Sequence, residues 1–471
     1  MANTLEKQTT TDFGPAFRKL KDRSQLLRSE EIAVRASRLE KLDEWLRSNQ
    51  SALEQAVFAD LGKPAMEVST SELFPVLAEI NHAIENLQRW TRPTKIDAPL
   101  TFIGTRSEVR YEPKGACLII APWNYPFNLC IGPLVSCIAA GNTALVKPSE
   151  LTPNTSAFIK KLVSEVFEED IVTVVEGDAT TASALLELPF DHIFFTGSPA
   201  VGKIIMHAAA DRLASVTLEL GGKSPAIVDA SADLKDAAKR IAFGKFLNNG
   251  QTCIAPDYIL VDNSVKEKFM ALLKESVSEL FGRAEDYGRI INLRHFARLS
   301  NMVKDAINKG ATPALTGEFR ESEKFFPPTI LTNVTDDMLV MEEEIFGPVL
   351  PVIGMDTKTA AIPLINSKPK PLSLYIFSHD RKFREKVLKE TSAGGVCIND
   401  CVLQFIHPNL PFGGVNNSGI GKAHGHAGFL AFTNEKPIVR QKSGYSNAYL
   451  FYPPYTSFKR KVLGFILRWF L

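Results

Sequence analysis

The sequence predicts an α/β protein built on parallel sheets, and three observations support this fold class. Short apolar segments typical of buried strands alternate with helical segments from residue 117 onward, the order expected of βαβ units. Hydrophobic residues make up 45% of the chain and charged residues 23%, as in ordinary globular proteins. The 471 residues, at roughly 150 per domain, predict about three structural units.

The elements follow in order. Residues 14–60 have apolar side chains three and four apart among charges and are predicted to be helical. Residues 101–111, T-F-I-G-T-R-S-E-V-R-Y, are predicted to be extended and partly exposed. The first α/β series then has predicted strands at 117–121, 143–146, 171–175 and 192–195, and predicted helices at 155–167 and 202–213.

A second α/β series follows the stretch V-T-L-E-L-G-G at residues 216–222. Residues 264–281 form its clearest predicted helix, in which Ser264 and Glu267 are expected to form a capping box and Gly282 to end the helix. The strands predicted in this series are 225–228, 258–261, 374–377 and 395–398.

Charge and cysteine content exclude several classes of protein. The 54 basic and 53 acidic residues give a net charge of +1, which argues against a general nucleic-acid-binding protein. The six cysteines lack the spacing of a metal site, so no metal is expected. Their sparse distribution indicates a reducing compartment, and the amino terminus lacks the apolar segment of a secretory signal.

Cys253 is the first candidate for chemistry, because it lies in a polar, glycine-bounded turn, N-N-G-Q-T-C, between two apolar segments. A small sharp turn would expose the sulfur and leave backbone N–H groups free beside it. The alternative is that Cys253 is a small, half-buried apolar side chain.

Two further side chains could assist a nucleophile. Glu219, between leucines at a predicted strand end, would have its pKa raised by burial and could be a general base; alternatively it pairs with an arginine. Asn124, in A-P-W-N-Y-P, could donate to a developing oxyanion; alternatively it is an ordinary turn residue.

Other polar residues also follow predicted strands. Lys147 and Glu150 in L-V-K-P-S-E come where ligands bind in open α/β sheets, although a solvated charged turn is the alternative. The stretch F-T-G-S-P-A-V-G-K at 195–203 reads as a strand, a glycine turn and a helix start, which could bind a phosphate. Glu344 and Phe346 lie in E-E-E-I-F-G-P-V, which could also be an acidic loop.

Together, in this order and context, these motifs resemble the aldehyde dehydrogenase superfamily. The similar strings are P-W-N-Y-P, L-V-K-P-S-E, F-T-G-S, L-E-L-G-G-K, G-Q-T-C and E-I-F-G-P-V, and the resemblance covers about residues 12–445. The I-A-P-D after the cysteine and the segment P-F-G-G-V-N-N-S-G-I-G-K-A-H-G resemble the class-3 branch, which includes fatty aldehyde dehydrogenases. The larger residues Val415, Asn416 and Asn417 depart from that branch's pattern.

The resemblance implies oxidation of an aldehyde to an acid through a thiohemiacetal and a thioester. Cys253 would be the nucleophile, the Asn124 amide and the Cys253 N–H would hold the oxyanion, and Glu219 would activate water. The cofactor would be NAD, with NADP left open. The cofactor-binding residues implied are Trp123, Lys147, Glu150, Thr196, Gly197, Ser198, Glu344 and Phe346.

The resemblance also implies a three-part fold: a Rossmann-like cofactor domain, an α/β catalytic domain and a small β arm for oligomerisation, with a homodimer expected. The expected segments are 1–98 and 114–219 for the cofactor domain, 220–425 for the catalytic domain, and 99–113 with 426–445 for the arm. The protein is expected in the cytoplasm, with contact to the inner face of a membrane left open.

The carboxyl-terminal segment, 446–471, ends in a basic amphipathic stretch. Its last fourteen residues would reach only about 21 Å as a helix, too short for a bilayer core of about 30 Å. It is expected to lie in a membrane interface, to pack on the dimer or to gate the substrate tunnel. Such an apolar segment suits a medium- or long-chain aldehyde.

Three rival functions remain to be weighed. A cysteine hydrolase would need a histidine beside the sulfur, and none is near Cys253 in sequence. A coenzyme-A-acylating relative would not need Glu219 as a water activator. A catalytically inactive scaffold would be expected to lack the nucleophile or the base, and both are present.

Overall fold

A computed structural model of the chain describes residues 12–99, 102, 104–444 and 446–469. The helices are α1 Gly14–Leu27, α2 Ile32–Ser48, α3 Gln50–Leu61, α4 Ala65–Val68, α5 Phe74–Trp90, α6 Asn128–Ala140, α7 Pro153–Val166, α8 Ala179–Leu186, α9 Pro199–Arg212, α10 Leu234–Phe246, α11 Lys266–Phe281, α12 Leu293–Asn308, α13 Leu339–Glu342, α14 Thr357–Asn366, α15 Arg381–Glu390, α16 Leu403–Ile406, α17 Gly425–Ala431 and α18 Ser457–Trp469. A single π-helical turn, Ser69–Leu73, joins α4 to α5.

The strands form three sheets. They are β1 Thr94–Ile96, β2 Thr105–Pro113, β3 Ala116–Ile120, β4 Thr143–Lys147, β5 Val172–Val174, β6 His192–Thr196, β7 Ser215–Glu219, β8 Pro225–Val228, β9 Tyr258–Asp262, β10 Thr312–Leu315, β11 Thr329–Thr332, β12 Val349–Met355, β13 Ser373–Phe377, β14 Gly395–Ile398, β15 Gly419–Ile420 and β16 Thr433–Gln441.

The first sheet places most candidate residues at one edge. Its strand order is β15-β7-β6-β3-β4-β5, and every pair is parallel except β15 with β7. The register aligns Thr196 with Glu219 and Ile120 with Lys147, so these strands end together. Polar residues that follow them therefore gather at the carboxyl edge, where open α/β sheets bind ligands.

The second sheet has seven strands in the order β10-β11-β12-β9-β8-β13-β14, with β10 alone antiparallel. Its central strands are buried and apolar, as a sheet covered on both faces by helices requires. The predicted α/β class is confirmed, with strands at the predicted positions in both series.

The third sheet is a three-stranded antiparallel arm, β1-β2-β16, in which β16 pairs with β2 from Thr433↔Pro113 to Gln441↔Thr105. Most side chains of β16 are exposed. Thr101, at the start of the predicted extended stretch, lies outside the described residues, as do the predicted segment ends at residues 1 and 471.

The predicted capping box at the start of α11 is wrong. The helix begins at Lys266, and the residue before it, Val265, makes no side-chain cap bond. The Ser264 hydroxyl donates instead to the Asp262 carboxylate at 2.5 Å. A carboxylate two residues away is the stronger acceptor, so the serine closes a local turn at the end of β9.

No helix within the described ranges is long and apolar enough to cross a membrane. All six cysteines are described, and each is a free thiol. In the same part of the chain, no group of three or more His, Cys, Asp or Glu side chains is placed to hold a metal ion.

Candidate active site

The Cys253 turn is held by backbone conformations that few residues accept. After α10, Asn248 and Asn249 have φ of 55° and 54°, and Gly250 has φ of 71°. A Cβ on Gly250 would collide with the carbonyl of Gly347, so only glycine fits there. The Gln251 side chain then donates to the Arg289 carbonyl at 3.0 Å and accepts from the Ile291 N–H at 3.0 Å. The turn is therefore fixed on both sides before the chain reaches the cysteine.

Cys253 is half-buried rather than fully exposed. Burial first, then the nearby carboxyl groups of Glu344 and Glu219, raise the pKa of its thiol to about 12. The backbone N–H groups of Cys253 and Ile254 oppose this shift. In the ligand-free protein the sulfur is thus a neutral thiol at neutral pH, with two N–H donors beside it.

Glu219 ends β7 with 6% of its surface exposed. Neither carboxylate oxygen has a hydrogen-bond partner within the described part of the chain, so the arginine pairing considered from the sequence is not found there. Burial raises the pKa of Glu219 well above its usual value, and Lys422 only partly opposes the shift. A buried acid without partners and with a raised pKa has the properties of a general base.

Asn124 lies in the loop after β3 and is 3% exposed. Its side-chain NH₂ donates to the Gln251 carbonyl at 3.0 Å, which uses one of its two N–H groups. Its backbone carbonyl accepts from Lys63 Nζ at 2.9 Å and from the Asn248 side chain at 2.8 Å. The amide is therefore tied directly to the turn that bears Cys253.

A buried ion pair contacts the loop that bears Asn124. Lys63 Nζ and Glu72 Oε1 are 2.7 Å apart, and both side chains are fully buried. Glu72 also accepts from the N–H groups of Phe127 and Asn128 at 3.2 and 2.9 Å. Because Glu72 sits in the π-helical turn, no regular helix spacing in the sequence pointed to this pair.

A cleft of about 830 Å³ brings most of the predicted residues together. Trp123 packs edge-on against Phe346 with ring centroids 5.3 Å apart. Phe346 has a φ of 48°, a strained conformation that turns the chain at this point. The predicted residues that line the cleft are Trp123, Asn124, Thr196, Gly197, Ser198, Glu219, Cys253, Glu344 and Phe346.

The cleft residues fit a dinucleotide. Ser198 caps α9 by accepting from the Val201 N–H at 3.4 Å, and this fourteen-residue helix begins at the cleft; a helix amino terminus offers N–H groups to a phosphate. Gly197 and Gly221 lie where a Cβ would collide with Phe195 and Glu344, so backbone forms these walls. Burial raises the pKa of Glu344 to about 8.

Lys147 and Glu150 lie apart from this cleft's lining. The buried Lys147 ends β4 and its Nζ lies 3.1 Å from the exposed carboxylate of Glu150. The pair is nevertheless at the carboxyl edge of the first sheet, one strand from the loop that bears Trp123.

Three polar residues of the cleft lining, and the buried ion-pair partner of one of them, were missed by the sequence reasoning. His295 packs on Trp123 with centroids 5.1 Å apart, and Arg298 donates to the backbone carbonyls of Glu344 and Ile345. Both lie on α12, which carries no motif. Lys223 and Asp257 form a buried ion pair. Both lie inside the motifs L-E-L-G-G-K and I-A-P-D, each four residues after Glu219 or Cys253, and this closeness in sequence could have indicated them.

Two further cavities reach Cys253 from other sides. One, of about 410 Å³, has a mainly apolar lining that includes Met66, Leu129, Phe243 and Phe405. The other, of about 50 Å³, lies behind Glu219 and also touches Glu79 and Ser136. Cys253 is part of the lining of all three cavities.

Comparison with known proteins agrees with this arrangement. The model of the aldehyde dehydrogenase family matches residues 2–438. A 4,4'-diaponeurosporen-aldehyde dehydrogenase of Staphylococcus aureus is 44% identical, with 91% of this chain and 93% of that protein covered. The mouse aldehyde dehydrogenase family 3 member A2 is 42% identical, with 93% and 91% covered.

Solved structures give the same result. The substrate-bound state of Staphylococcus aureus AldH superposes with a TM-score of 0.92 at 41% identity, covering 97% of this chain and all of that one. More distant neighbours at 27–28% identity include an NADP complex and an NAD⁺ complex. The chain belongs to the aldehyde dehydrogenase family and oxidises an aldehyde with NAD(P) as cofactor.

Proposed function

We propose that Cys253 is the nucleophile, Glu219 the general base and Asn124 the oxyanion donor of this oxidation. The observation that supports this assignment most is the position of Cys253, where the dinucleotide-sized cleft and the apolar cavity meet. A carbonyl entering through the apolar cavity would reach the sulfur at this junction. No other cysteine lines the cleft within the described residues.

The chemistry follows from the groups at that junction. The Cys253 thiol gives up its proton to solvent water as its sulfur adds to the carbonyl carbon. The oxygen that becomes negative is held by the Asn124 amide and the Cys253 N–H; one such donor typically lowers the barrier by about 3 kcal/mol. An oxidised nicotinamide held by the cleft residues, which include Ser198, Glu344 and Phe346, would supply the acceptor for the hydride of the tetrahedral carbon. Glu219 then takes a proton from the water that attacks the thioester. The carbon–sulfur bond breaks with Cys253 as the leaving group, and the carboxylic acid is released.

The nucleophile assignment is tested by replacing Cys253→Ala. NADH production should fall to background while cofactor binding, measured by quenching of tryptophan fluorescence, stays unchanged. Cys397→Ala is the matched control, because Cys397 is also half-buried but lies away from the cleft. Retained turnover in Cys253→Ala would contradict the assignment.

The substrate is proposed to be a medium- or long-chain aliphatic aldehyde. The cavity of about 410 Å³ that leads to Cys253 exposes far more apolar than polar lining. Each buried methylene contributes about 0.8 kcal/mol, or a factor of about four in kcat/KM, until the cavity is filled. A 4,4'-diaponeurosporen-aldehyde dehydrogenase and an aldehyde dehydrogenase of family 3 are among the relatives, which supports the same class.

A chain-length series from acetaldehyde to decanal, run with both cofactors, tests this substrate class. Ile406→Glu would place a charge in the cavity lining and should flatten the series, whereas Leu410→Glu, equally exposed but outside the lining, should not. If acetaldehyde were turned over as efficiently as hexanal by the unaltered protein, the proposal would be wrong.

Lys147 and Glu150 are proposed to contact the adenosine ribose, with a preference for NAD. An exposed carboxylate at Glu150 would repel a 2′-phosphate and accept from a 2′-hydroxyl. Glu150→Gln should therefore raise kcat/KM for NADP relative to NAD. An unchanged ratio would exclude Glu150 from this role.

The tail helix α18 is proposed to contact a membrane surface. It bears Lys459, Lys461 and Arg468 without any acidic residue, and several of its large apolar side chains are more than half exposed, including Phe458 and Trp469. A basic helix with exposed apolar groups suits anionic headgroups. More of the protein should sediment with phosphatidylglycerol vesicles than with phosphatidylcholine vesicles. Truncation before residue 446 should abolish this sedimentation. Equal sedimentation with both kinds of vesicle would favour packing on the dimer or gating of the tunnel.

We also propose the domain division given above, a homodimer and a cytoplasmic location. Strand β16 is an exposed edge strand of its sheet, and an edge strand can pair with a strand of a second copy. Val439 on this strand is 61% exposed. Val439→Pro should weaken a dimer seen by light scattering. A monomer in the unaltered protein would contradict this assignment. Free thiols throughout the chain suit a reducing compartment.

A further inference from the structure

We propose that the small cavity behind Glu219 holds ordered water and passes the proton released in thioester hydrolysis from Glu219 to Glu79 on α5. The inference rests on the proposed role of Glu219 as general base. It adds a proton exit that none of the predicted site residues supplies. Glu79 would act through water and Glu219, so it is a positioning residue rather than a catalytic one.

The cavity joins the two acids without passing through the cofactor cleft. Glu219, Cys253 and Thr196 line it together with Glu79 and Ser136. Its volume of about 50 Å³ has room for about three to five water molecules at about 10–15 Å³ each. Helices α5 and α6 and the segment around α17 enclose it.

Unpaired polar atoms make this cavity a place for water. Both oxygens of Glu219 and the hydroxyl of Thr196 are buried without a hydrogen-bond partner among the described residues. Glu219 is 6% exposed and Thr196 is 8% exposed. Because buried polar groups are nearly always hydrogen-bonded, these three atoms, whose residues line both this cavity and the cleft, indicate positions for bound water. The Asn128 and Ser136 side chains offer further partners in the same lining.

Glu79 has the properties of a proton acceptor that can reach bulk water. Its Oε1 accepts from the Gly425 N–H at 2.7 Å and the Ser136 hydroxyl at 3.5 Å, and its side chain is partly exposed. Burial raises the pKa of Glu79 to about 7. A group that titrates near neutral pH both accepts and releases a proton readily.

The other titratable groups near Glu79 do not compete for this role. His424 lines the cavity, but burial lowers its pKa to about 4, so it is neutral. His82, on the same helix, lies against Gly425, and burial lowers its pKa as well. No ion pair to Glu79 occurs within the described ranges. Among the residues that the structure describes, the carboxyl group of Glu219 is the only other acid in the lining.

Water attacks the thioester carbon, its O–H bond breaks toward Glu219, and the carbon–sulfur bond breaks with the electron pair going to Cys253. The proton on Glu219 moves along cavity water to Glu79, and from Glu79 to bulk solvent. Nothing is oxidised or reduced in this step, and Glu219 is returned to the ionised form for the next turnover.

Hydrolysis of p-nitrophenyl acetate by the full chain without cofactor isolates this step. The activated ester acylates Cys253 with a burst of p-nitrophenolate, and the steady rate that follows reports hydrolysis of the thioester. Glu79→Gln should leave the burst unchanged and slow the steady rate about tenfold or more. Glu85→Gln is the matched control, since Glu85 is an exposed acid on the same helix.

Two further variants keep the inference testable if Glu79→Gln folds poorly. Glu79→Ala should regain steady rate when formate is added, because a small acid can replace the lost carboxyl group; a structural role would give no rescue. Gly132→Ala adds a methyl group to the cavity lining, where its Cβ would meet only the Asn128 amide oxygen at 3.6 Å. It should slow the steady rate without removing any acid.

The outcomes separate the two proposals. A burst that survives Cys253→Ala would overturn the proposed nucleophile, and the relay would fall with it. A normal burst with steady rates within twofold of the unaltered protein in both Glu79→Gln and Gly132→Ala would overturn the relay alone. Loss of rate in both variants, with formate rescue of Glu79→Ala, is the result expected.

Discussion

The buried ion pair between Lys63 and Glu72 provides a quantitative test of how the oxyanion loop is held. Lys63→Met removes the 2.7 Å contact to Glu72 and the 2.9 Å bond to the Asn124 carbonyl. It also removes the ammonium lying 4.0 Å from the Tyr125 ring. Glu72 is left fully buried with two backbone N–H donors and no cation.

The loss of stability in Lys63→Met is limited because Glu72 can become protonated. Burial already raises the pKa of this carboxyl group, and Lys63 is the largest opposing influence. Without Lys63 the acid can become protonated, and from an ordinary pKa of about 4.3 this costs at most about 3.7 kcal/mol at pH 7. We therefore expect the free energy of unfolding to fall by about 3 kcal/mol, within the range known for broken buried pairs.

The sign of the pH dependence is a second check. In Lys63→Met the folded-state pKa of Glu72 lies further above its unfolded value, so the folded state binds the extra proton and the loss of stability shrinks as pH falls. Between pH 7 and about pH 5.5 the loss should decrease by up to about 2 kcal/mol, at about 1.4 kcal/mol per unit.

The assay is urea unfolding at both pH values, with midpoints compared at a common slope. The double variant Lys63→Met, Glu72→Leu removes both charges and should recover most of the lost stability, because an apolar pair can replace a buried ion pair. A loss below about 1 kcal/mol that does not change with pH would refute this account of the pair.

Three further results are expected. Asn124→Ala should lower kcat by about 10²–10³, measured by NADH absorbance, since it removes one oxyanion donor; a change below threefold would exclude that role. Alkylation of Cys253 by iodoacetamide should still accelerate above pH 9, because the pKa of the thiol is about 12; a plateau near pH 8 would contradict this. Glu344→Gln should accelerate that alkylation by about tenfold above pH 8, because the Glu344 carboxyl group is ionised there in the unaltered protein. Near pH 6 that group is already neutral, so the rate of alkylation should be unchanged. Equal acceleration at both pH values would contradict the electrostatic cause.

The sheets were predictable because apolar strands and helices alternate with clear periodicity in this chain. Each predicted strand of the two parallel sheets forms within one or two residues of its expected position. The burial of Glu219 was also readable from its leucine neighbours, and its side chain is 6% exposed. Such local features follow from residues that are adjacent in sequence.

Features that depend on distant contacts could not be predicted. Lys63 and Glu72 meet because a π-helical turn rotates the carboxylate toward the lysine, and the Glu79 cavity requires α5 and α6 to pack against the loop after residue 405. The capping prediction at Ser264 failed for the converse reason, since the Asp262 carboxylate competes for the hydroxyl. The high pKa of Cys253 arises first from burial and then from the carboxyl groups of Glu344 and Glu219, which two other segments bring near the sulfur.

The most direct measurement is mass spectrometry of Glu219→Gln after mixing with decanal and NAD and quenching with acid. If Cys253 forms the thioester and Glu219 drives its hydrolysis, a peptide containing Cys253 should carry the decanoyl mass at near-stoichiometric occupancy, while NADH forms in a single burst. Steady turnover without any acyl mass on Cys253, or the acyl mass on another residue, would contradict the account.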